Sequence, residues 1–204
     1  SIEVPRNDDI LARQKPNHDR TLVISKGAKS MRLLLLRHAK SSWGNPSLQD
    51  FARPLNERGR GAADLIGRFL AARGLIPEMI FCSTARRTRE TLALLMPHLA
   101  QDMDIRLDGR LYGADVGGYK ALVADVPDRV ETVMVIGHNP AIEDYARQLA
   151  VDGAPADLTA LHGKYPTGAL AVLAAPAGAW RHLTRAHLEL FQVPRDLTHT
   201  GGAA

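Results

Sequence analysis

The chain has 204 residues, 45% of them hydrophobic, which suits one domain with one core. A net charge of +4 with 5% aromatic residues offers no base-stacking surface beside a basic stripe, so we expect no nucleic-acid partner. The single cysteine, Cys82, excludes an internal disulfide and suits a cytoplasmic location, and no apolar run reaches the roughly 18 residues of a membrane span.

The two ends of the chain lack the patterns of packed structure. Residues 1–30 mix charges, prolines and polar residues without a sustained period of 2 or 3.6, which predicts an extended, poorly ordered arm. Residues 198–204 predict a frayed tail. The ordered part is therefore expected to begin at Met31.

A run of leucines from Met31 predicts a strand that is buried on both faces and that ends at Arg37 and His38. Ligands of open α/β sheets collect beyond the carboxyl ends of such strands. After a long loop, Asn56 offers a helix N-cap. Apolar residues at helical spacing between 62 and 70, followed by Gly74, predict an amphipathic helix.

Two further strands and their helices follow the same pattern. Residues 79–82 predict a strand, 83–88 a polar turn and the next stretch a helix that Pro97 ends near Met96. Residues 105–111 are ambiguous, and a third helix is expected around 119–126. Residues 133–136 predict another strand, followed by Asn139 as an N-cap and Pro140 as the first helical residue.

The last part of the chain reads as a loop through Thr167 and then two strands, 170–174 and 182–191, paired as a hairpin. Alternating strands and helices predict an α/β fold. We expect a three-layer sandwich around a mainly parallel central sheet, with the last strands antiparallel.

Three predicted strand ends carry phosphate-binding side chains: Arg37 with His38, then Arg86 with Arg87, then His138. Guanidinium forks match phosphate oxygens, and a neutral ring nitrogen of His38 could attack phosphorus to give a phosphohistidine that water hydrolyses. Such a cluster of cations needs no metal or cofactor. Alternatively, His138 caps a helix and the arginines are solvated.

Several stretches resemble the SixA-type phosphohistidine phosphatases of the histidine phosphatase superfamily, whose relatives include the cofactor-dependent phosphoglycerate mutases. They are Leu-Leu-Arg37-His38-Ala39-Lys40-Ser41-Ser42-Trp43, Asp50-Phe-x-Arg53-Pro54-Leu55-Asn56-x-Arg58-Gly59, Gly137-His138-Asn139-Pro140, Pro166-Thr167-Gly168-Ala169 and Phe191-x-Val193-Pro194-Arg195-Asp196-Leu197. The resemblance implies a phosphoglycerate-mutase-like fold in a histidine phosphatase domain over residues 31–197.

The resemblance also implies roles for single residues. His38 corresponds to the phosphorylated nucleophile, and Arg37 and His138 to its phosphate-binding neighbours. The family places the second arginine four residues after a serine and four before a threonine, which selects Arg87. Ser41 corresponds to a phosphate-contacting position of the mutase branch.

One departure concerns the general acid. The mutase branch has a glutamate three residues before a Tyr-Gly pair, and aligning on Tyr112 puts Gly109 there. Asp50, Asp108 and Asp115 are the nearby substitutes. An imidazole leaving group can depart neutral, so the absence of an acid favours nitrogen-bound phosphate.

We therefore expect a phosphatase that binds phosphate or similar oxyanions and acts on phosphohistidine in a partner protein. A phosphatase for a small phosphorylated metabolite is the alternative, and a non-catalytic phosphoacceptor module is a third. No metal, cofactor or membrane partner is expected.

Overall fold

The computed structural model describes residues 31–99, 101–175, 178 and 180–198. The expectations for the arm (1–30) and for the tail beyond Thr198 lie outside the described residues. Within that described part, no helix is both long and apolar enough to cross a membrane.

Strands and helices alternate through most of the fold. The strands of the described residues are β1 (Met31–Arg37), β2 (Met79–Ser83), β3 (Asp104–Asp108), β4 (Thr132–Gly137), β5 (Ala150–Gly153), β6 (Leu170–Ala175) and β7 (Ala186–Gln192). The α-helices are α1 (Glu57–Ala72), α2 (Arg86–Leu95), α3 (Val116–Ala124), α4 (Ala141–Leu149), α5 (Pro155–Gly163) and α6 (Pro194–Leu197).

All seven strands form one sheet in the order β3-β2-β4-β1-β6-β7-β5. β4 lies between β1 and β2 and is parallel to both, and β3 is parallel to β2. β6 runs antiparallel to β1 and to β7. The predicted mainly parallel sheet with antiparallel last strands is therefore confirmed.

The leucine run of β1 is continuous because both faces of the sheet are covered. Leu33 and Leu35 belong to the apolar cluster shared with α3 and α4, whereas Leu34 and Leu36 belong to the cluster shared with α1 and α2. Successive side chains of a strand point to opposite faces, so each layer receives two leucines. Each is fully buried and contributes about 1.5–3 kcal/mol.

The start of α1 is tied to the chain that follows β1. The Asn56 side chain accepts a hydrogen bond from Gly59 N at 2.8 Å, as the predicted N-cap requires. A Cβ on Gly59 would lie 2.1 Å from the carbonyl oxygen of Lys40, so only glycine permits this approach. Gly74, just past the helix, adopts a φ of 62°.

The predicted loop through Thr167 is wrong, because the chain forms β5 and α5 there. α5 buries only one side chain, Leu161, so its sequence carries no apolar stripe of period 3.6. β5 has four residues and is recognised only by its pairing with β7.

Two predicted boundaries also move. The last strand begins at Ala186 rather than 182, because residues 180–182 form a 3₁₀ turn in which the Trp180 indole donates to Val130 O at 2.9 Å. Pro140, not Asn139, caps α4. The Asn139 amide instead donates to Tyr165 O at 3.2 Å and to the Glu143 side chain in the first turn of α4, and it caps no backbone N–H there.

Candidate active site

The sheet order brings three strand ends together at one edge. β1, β4 and β2 are adjacent and parallel, so His38, His138 and the turn after Ser83 emerge on the same side. Arg87 follows in the first turn of α2. We name Arg37, His38, Arg87 and His138 the strand-end cluster.

His38 is buried, and its ring is fixed in one tautomer. Its Nδ1 lies 2.7 Å from the carbonyl oxygen of Ala39, which can only accept, so Nδ1 carries the hydrogen. The other nitrogen, Nε2, keeps its lone pair and accepts from Arg87 Nε at 3.1 Å. Burial lowers the pKa of His38 to about 3, which keeps the ring neutral.

His138 faces His38, with 5.2 Å between the ring centroids. Its Nδ1 accepts from Arg87 Nη2 at 3.3 Å, so Nε2 carries the hydrogen and donates to Ser83 Oγ at 2.8 Å. Burial and the positive charge of Arg87 lower the pKa of His138 to about 4. Both imidazoles are therefore neutral near pH 7.

Arg87 joins the two histidines, and Asp50 holds it in place. Besides its contacts with both rings, Arg87 donates from Nη1 to Asp50 O at 2.7 Å and from Nη2 to Asp50 Oδ2 at 3.0 Å. Its side chain is almost fully buried. Its neighbour Arg86 is exposed and pairs with Glu90 one turn along the helix. The cluster thus contains the second of the two adjacent arginines.

Arg37 is the last residue of β1 and precedes His38. Its Nη1 donates to Tyr165 O at 2.7 Å, while its buried Nε has no hydrogen-bond partner within the described residues. Burial lowers the pKa of the guanidinium. A buried donor without a partner is costly, so this N–H is available to an incoming oxyanion.

Asp50 comes from the long loop after β1 and contacts three side chains. Its Oδ2 also accepts from the Tyr112 hydroxyl at 2.9 Å, and its Oδ1 from Arg53 Nη1 at 3.0 Å. Burial alone would raise the pKa of Asp50, but the hydrogen bonds and charges of Tyr112, Arg87 and Arg53 outweigh it and lower the pKa. Asp50 is therefore an ionised brace for Arg87.

Ser41 is connected to the strand-end cluster through side chains of this loop. Its buried hydroxyl accepts a hydrogen bond from Arg53 Nη2, and the Arg53 guanidinium lies 3.3 Å from the ring centroid of the exposed Trp43. A chain of contacts thus runs from Ser41 through Arg53 and Asp50 to Arg87. Arg53 is a site residue that was not predicted from the sequence. Its position in the segment Asp50-Phe-x-Arg53-Pro54, three residues after Asp50, was the feature of the sequence that could have indicated this role.

The other two candidate acids are engaged elsewhere. Asp108 accepts from Arg110 at 2.7 Å, and the hydrogen bonds from Arg110 lower its pKa. Asp115 caps α3 by accepting from Gly118 N at 2.9 Å. Gly109 lies beside Thr84 and carries no side chain. Of the three candidates, only Asp50 contacts the strand-end cluster.

The cluster can bind a tetrahedral oxyanion next to a neutral nitrogen nucleophile. The buried guanidinium of Arg87 and the partly buried guanidinium of Arg37 supply donors and charge, and His38 Nε2 supplies the lone pair. Among the described residues, no three His, Cys, Asp or Glu side chains gather as a metal site.

Comparisons with known proteins agree with this arrangement. The family model of the histidine phosphatase superfamily (branch 1) matches residues 33–145. An uncharacterized protein of Mycobacterium leprae is 37% identical over 166 residues, which cover 78% of this chain and 100% of the relative.

Two solved structures of candidate phosphohistidine phosphatases SixA are similar in both sequence and fold. The protein from Nakamurella multipartitia is 34% identical, with a TM-score of 0.70, over 82% of this chain and 98% of that one. The protein from Agrobacterium tumefaciens is 34% identical, with a TM-score of 0.69, over 80% and 98%. The family match includes every residue of the strand-end cluster and Ser41.

Proposed function

Since this chain belongs to the histidine phosphatase superfamily and is a phosphatase that needs no metal ion, we propose that it removes phosphate from phosphohistidine in a partner protein. The proposed intermediate is His38 phosphorylated on Nε2. The observation that carries this proposal is the tautomer of His38: a neutral ring whose Nδ1 donates to Ala39 O and whose Nε2 keeps a lone pair that accepts from Arg87.

In the proposed first step, His38 Nε2 attacks phosphorus and the substrate's N–P bond breaks. Arg87 releases the lone pair and, with Arg37, donates to the equatorial oxygens instead. His138 has no hydrogen on Nδ1 in the free protein, so it can donate to these oxygens only after it takes up a proton there. The negative charge of the bound oxyanion favours that protonated form. In the second step, water attacks phosphorus, the His38 N–P bond breaks and both hydrogens of the water leave with the phosphate as H₂PO₄⁻, so His38 regains its neutral ring with hydrogen on Nδ1.

The state of Asp50 supports a nitrogen-bound phosphate as substrate. An alkoxide leaving group needs a proton, but Asp50 is ionised and paired with two arginines. A phosphorylated imidazole whose other nitrogen carries hydrogen leaves as a neutral ring and needs no such acid. Phosphohistidine is therefore the substrate that this set of side chains suits best.

A labelled phosphohistidine peptide tests the proposal. After rapid quenching, the wild-type protein should carry an acid-labile, alkali-stable phosphoryl group that is absent from the His38→Ala variant. Arg87→Ala should lose turnover by about a hundredfold or more, whereas the matched control Arg86→Ala should keep it, because the exposed Arg86 side chain pairs with Glu90 outside the strand-end cluster.

Two outcomes would overturn the proposal. Faster turnover of sugar phosphates than of phosphohistidine would make the protein a phosphatase of small metabolites. A label that stays on His38 for hours without release of phosphate would make it a phosphoacceptor module.

We also propose a cytoplasmic location, since the only cysteine, Cys82, is a free thiol. We propose a role in signal transduction because phosphohistidine in a protein can pass its phosphoryl group on to another protein.

A further inference from the structure

A second recess lies beside the strand-end cluster. This cavity of about 500 Å³ is bounded by α1, α5, α6 and the residues before β6. We name it the basic cavity. Lys40, on its wall, follows His38 by two residues, so their Cα atoms are at most about 7 Å apart. Thr167 also lines it, and the next amide, Gly168 N, donates to the carbonyl oxygens of Arg37 and His38, both at 3.1 Å.

The lining of the basic cavity is strongly cationic. Four basic residues and one acidic residue line it: Lys40, Arg58, Lys164 and Arg195 against Asp196. The excess of basic over acidic residues in this lining is thus nearly as large as the net charge of +4 of the whole chain. Within the described residues, the side chains of Lys40, Arg58 and Lys164 form no ion pair or hydrogen bond.

The floor of the basic cavity is apolar. Phe191 and Val193 are buried there, and Ala62 and Pro194 lie beside them. Exposed cations around an apolar floor suit a chain that offers both carboxylates and aliphatic side-chain stems. An isolated small anion would gain little, because each exposed ion pair is weak and several are needed together.

The cavity uses residues that the catalytic proposal leaves without a role. Lys40 and Arg58 stand in the stretches that contain His38 and Asp50, and residues 166–167 and 191–196 supply most of the opposite wall. None of the strand-end cluster lines it. The basic cavity is therefore a separate surface that adjoins the proposed reaction site.

We propose that the basic cavity binds an acidic segment of the phosphorylated partner protein while its phosphohistidine enters the strand-end cluster. This inference rests on the proposed function, because it deepens the choice of substrate. Charge complementarity and the shared chain between His38 and Lys40 carry it.

Two phosphohistidine peptides of equal length test the inference, one with four glutamates beside the phosphohistidine and one with glutamines in their place. The wild-type protein should prefer the glutamate peptide by about tenfold in kcat/KM, mainly through KM. The Arg58→Glu/Lys164→Glu variant should lose that preference and keep its rate on phosphoramidate, which has no peptide segment. Raising the salt to 1 M should also remove the preference, as the screening length falls to about 3 Å.

The matched control is Arg129→Glu/Arg185→Glu, which makes the same charge change at exposed positions before the amino ends of β4 and β7, at the end of the strands opposite to the strand-end cluster. It should keep the preference. Equal rates on the two peptides, or an equal loss in both double variants, would overturn the inference.

A binding measurement separates this inference from the proposed function. The unphosphorylated glutamate peptide should bind the wild-type protein, and bind the Arg58→Glu/Lys164→Glu variant about tenfold more weakly, whether or not phosphohistidine is the substrate. Tight binding to the variant would refute the cavity's role. Failure to hydrolyse either phosphohistidine peptide would refute the proposed function alone.

Discussion

Lowering the pH should destabilise this protein through its two buried histidines. In the unfolded chain both rings take the ordinary pKa of about 6.5, whereas burial holds the pKa of His38 at about 3 and that of His138 at about 4. Below pH 6.5 the two histidine rings therefore bind protons in the unfolded state but not in the folded state. The free energy of unfolding is therefore unaffected by these two rings above pH 6.5, and it falls as the pH drops toward 4.

The structure sets the size of this loss. Each histidine contributes a slope of about 1.4 kcal/mol per pH unit, so each costs about 2 kcal/mol between pH 6.5 and pH 5. Together they remove about 4 kcal/mol, a large share of a typical stability of about 5–15 kcal/mol. At pH 5 both folded-state rings are still neutral, because that pH lies above both folded-state pKa values.

Urea unfolding at pH 7 and pH 5 measures the effect, with the fluorescence of the buried Trp180 as the signal. His38→Gln should lose about 2 kcal/mol less than the wild-type protein between the two pH values. The remaining titratable groups are common to both proteins and cancel, and His162→Gln controls for the removal of an exposed histidine. An equal loss in wild type and His38→Gln would refute a neutral, desolvated ring at position 38.

Three further substitutions test the surroundings of the cluster. Arg87→Lys keeps the charge but loses the planar fork, so turnover should fall about 100- to 1000-fold in steady-state assays, and near-normal turnover would contradict the role of the fork. Asp50→Asn keeps the shape but removes the charge that braces this arginine, so kcat should fall about tenfold with KM little changed; a rise in KM alone would assign Asp50 to binding. Gly137→Ala puts a Cβ 1.9 Å from the Tyr119 hydroxyl and should cost about 1–3 kcal/mol in thermal unfolding. Gly61→Ala, with open space in α1, should not destabilise, and equal melting shifts for the two would argue against the clash.

Buried periodic elements could be predicted from the sequence because their patterns follow from burial. The leucine run of β1 indicates a strand that is covered on both faces. The spacing of the apolar residues of α1 indicates a helix that is covered along one stripe. α5 could not be predicted in this way, because Leu161 is its one fully buried side chain and Leu158 packs against the core only partly buried, which is too little to form an apolar stripe.

The candidate site was predictable only in part, for a related reason. Arg37, His38, Arg87 and His138 follow strands, so the parallel sheet itself implies that they meet. Asp50 and Arg53 lie in a loop with no periodicity, and their contacts with Arg87 and Ser41 depend on how that loop folds back over the sheet edge. A loop's path is set by contacts distant in sequence, which local pattern does not contain.

The position of β4 between β1 and β2 also orders events during synthesis of the chain. His38 follows β1 and Arg87 lies in the first turn of α2 after β2, and both precede β4 in the chain, yet β1 and β2 are separated in the sheet by β4, which pairs with each. A ribosome-bound chain that stops before Thr132 thus lacks the strand that lies between β1 and β2 in the folded sheet. The same strand leads directly to His138, so the strand-end cluster can be complete only after β4 has been synthesised.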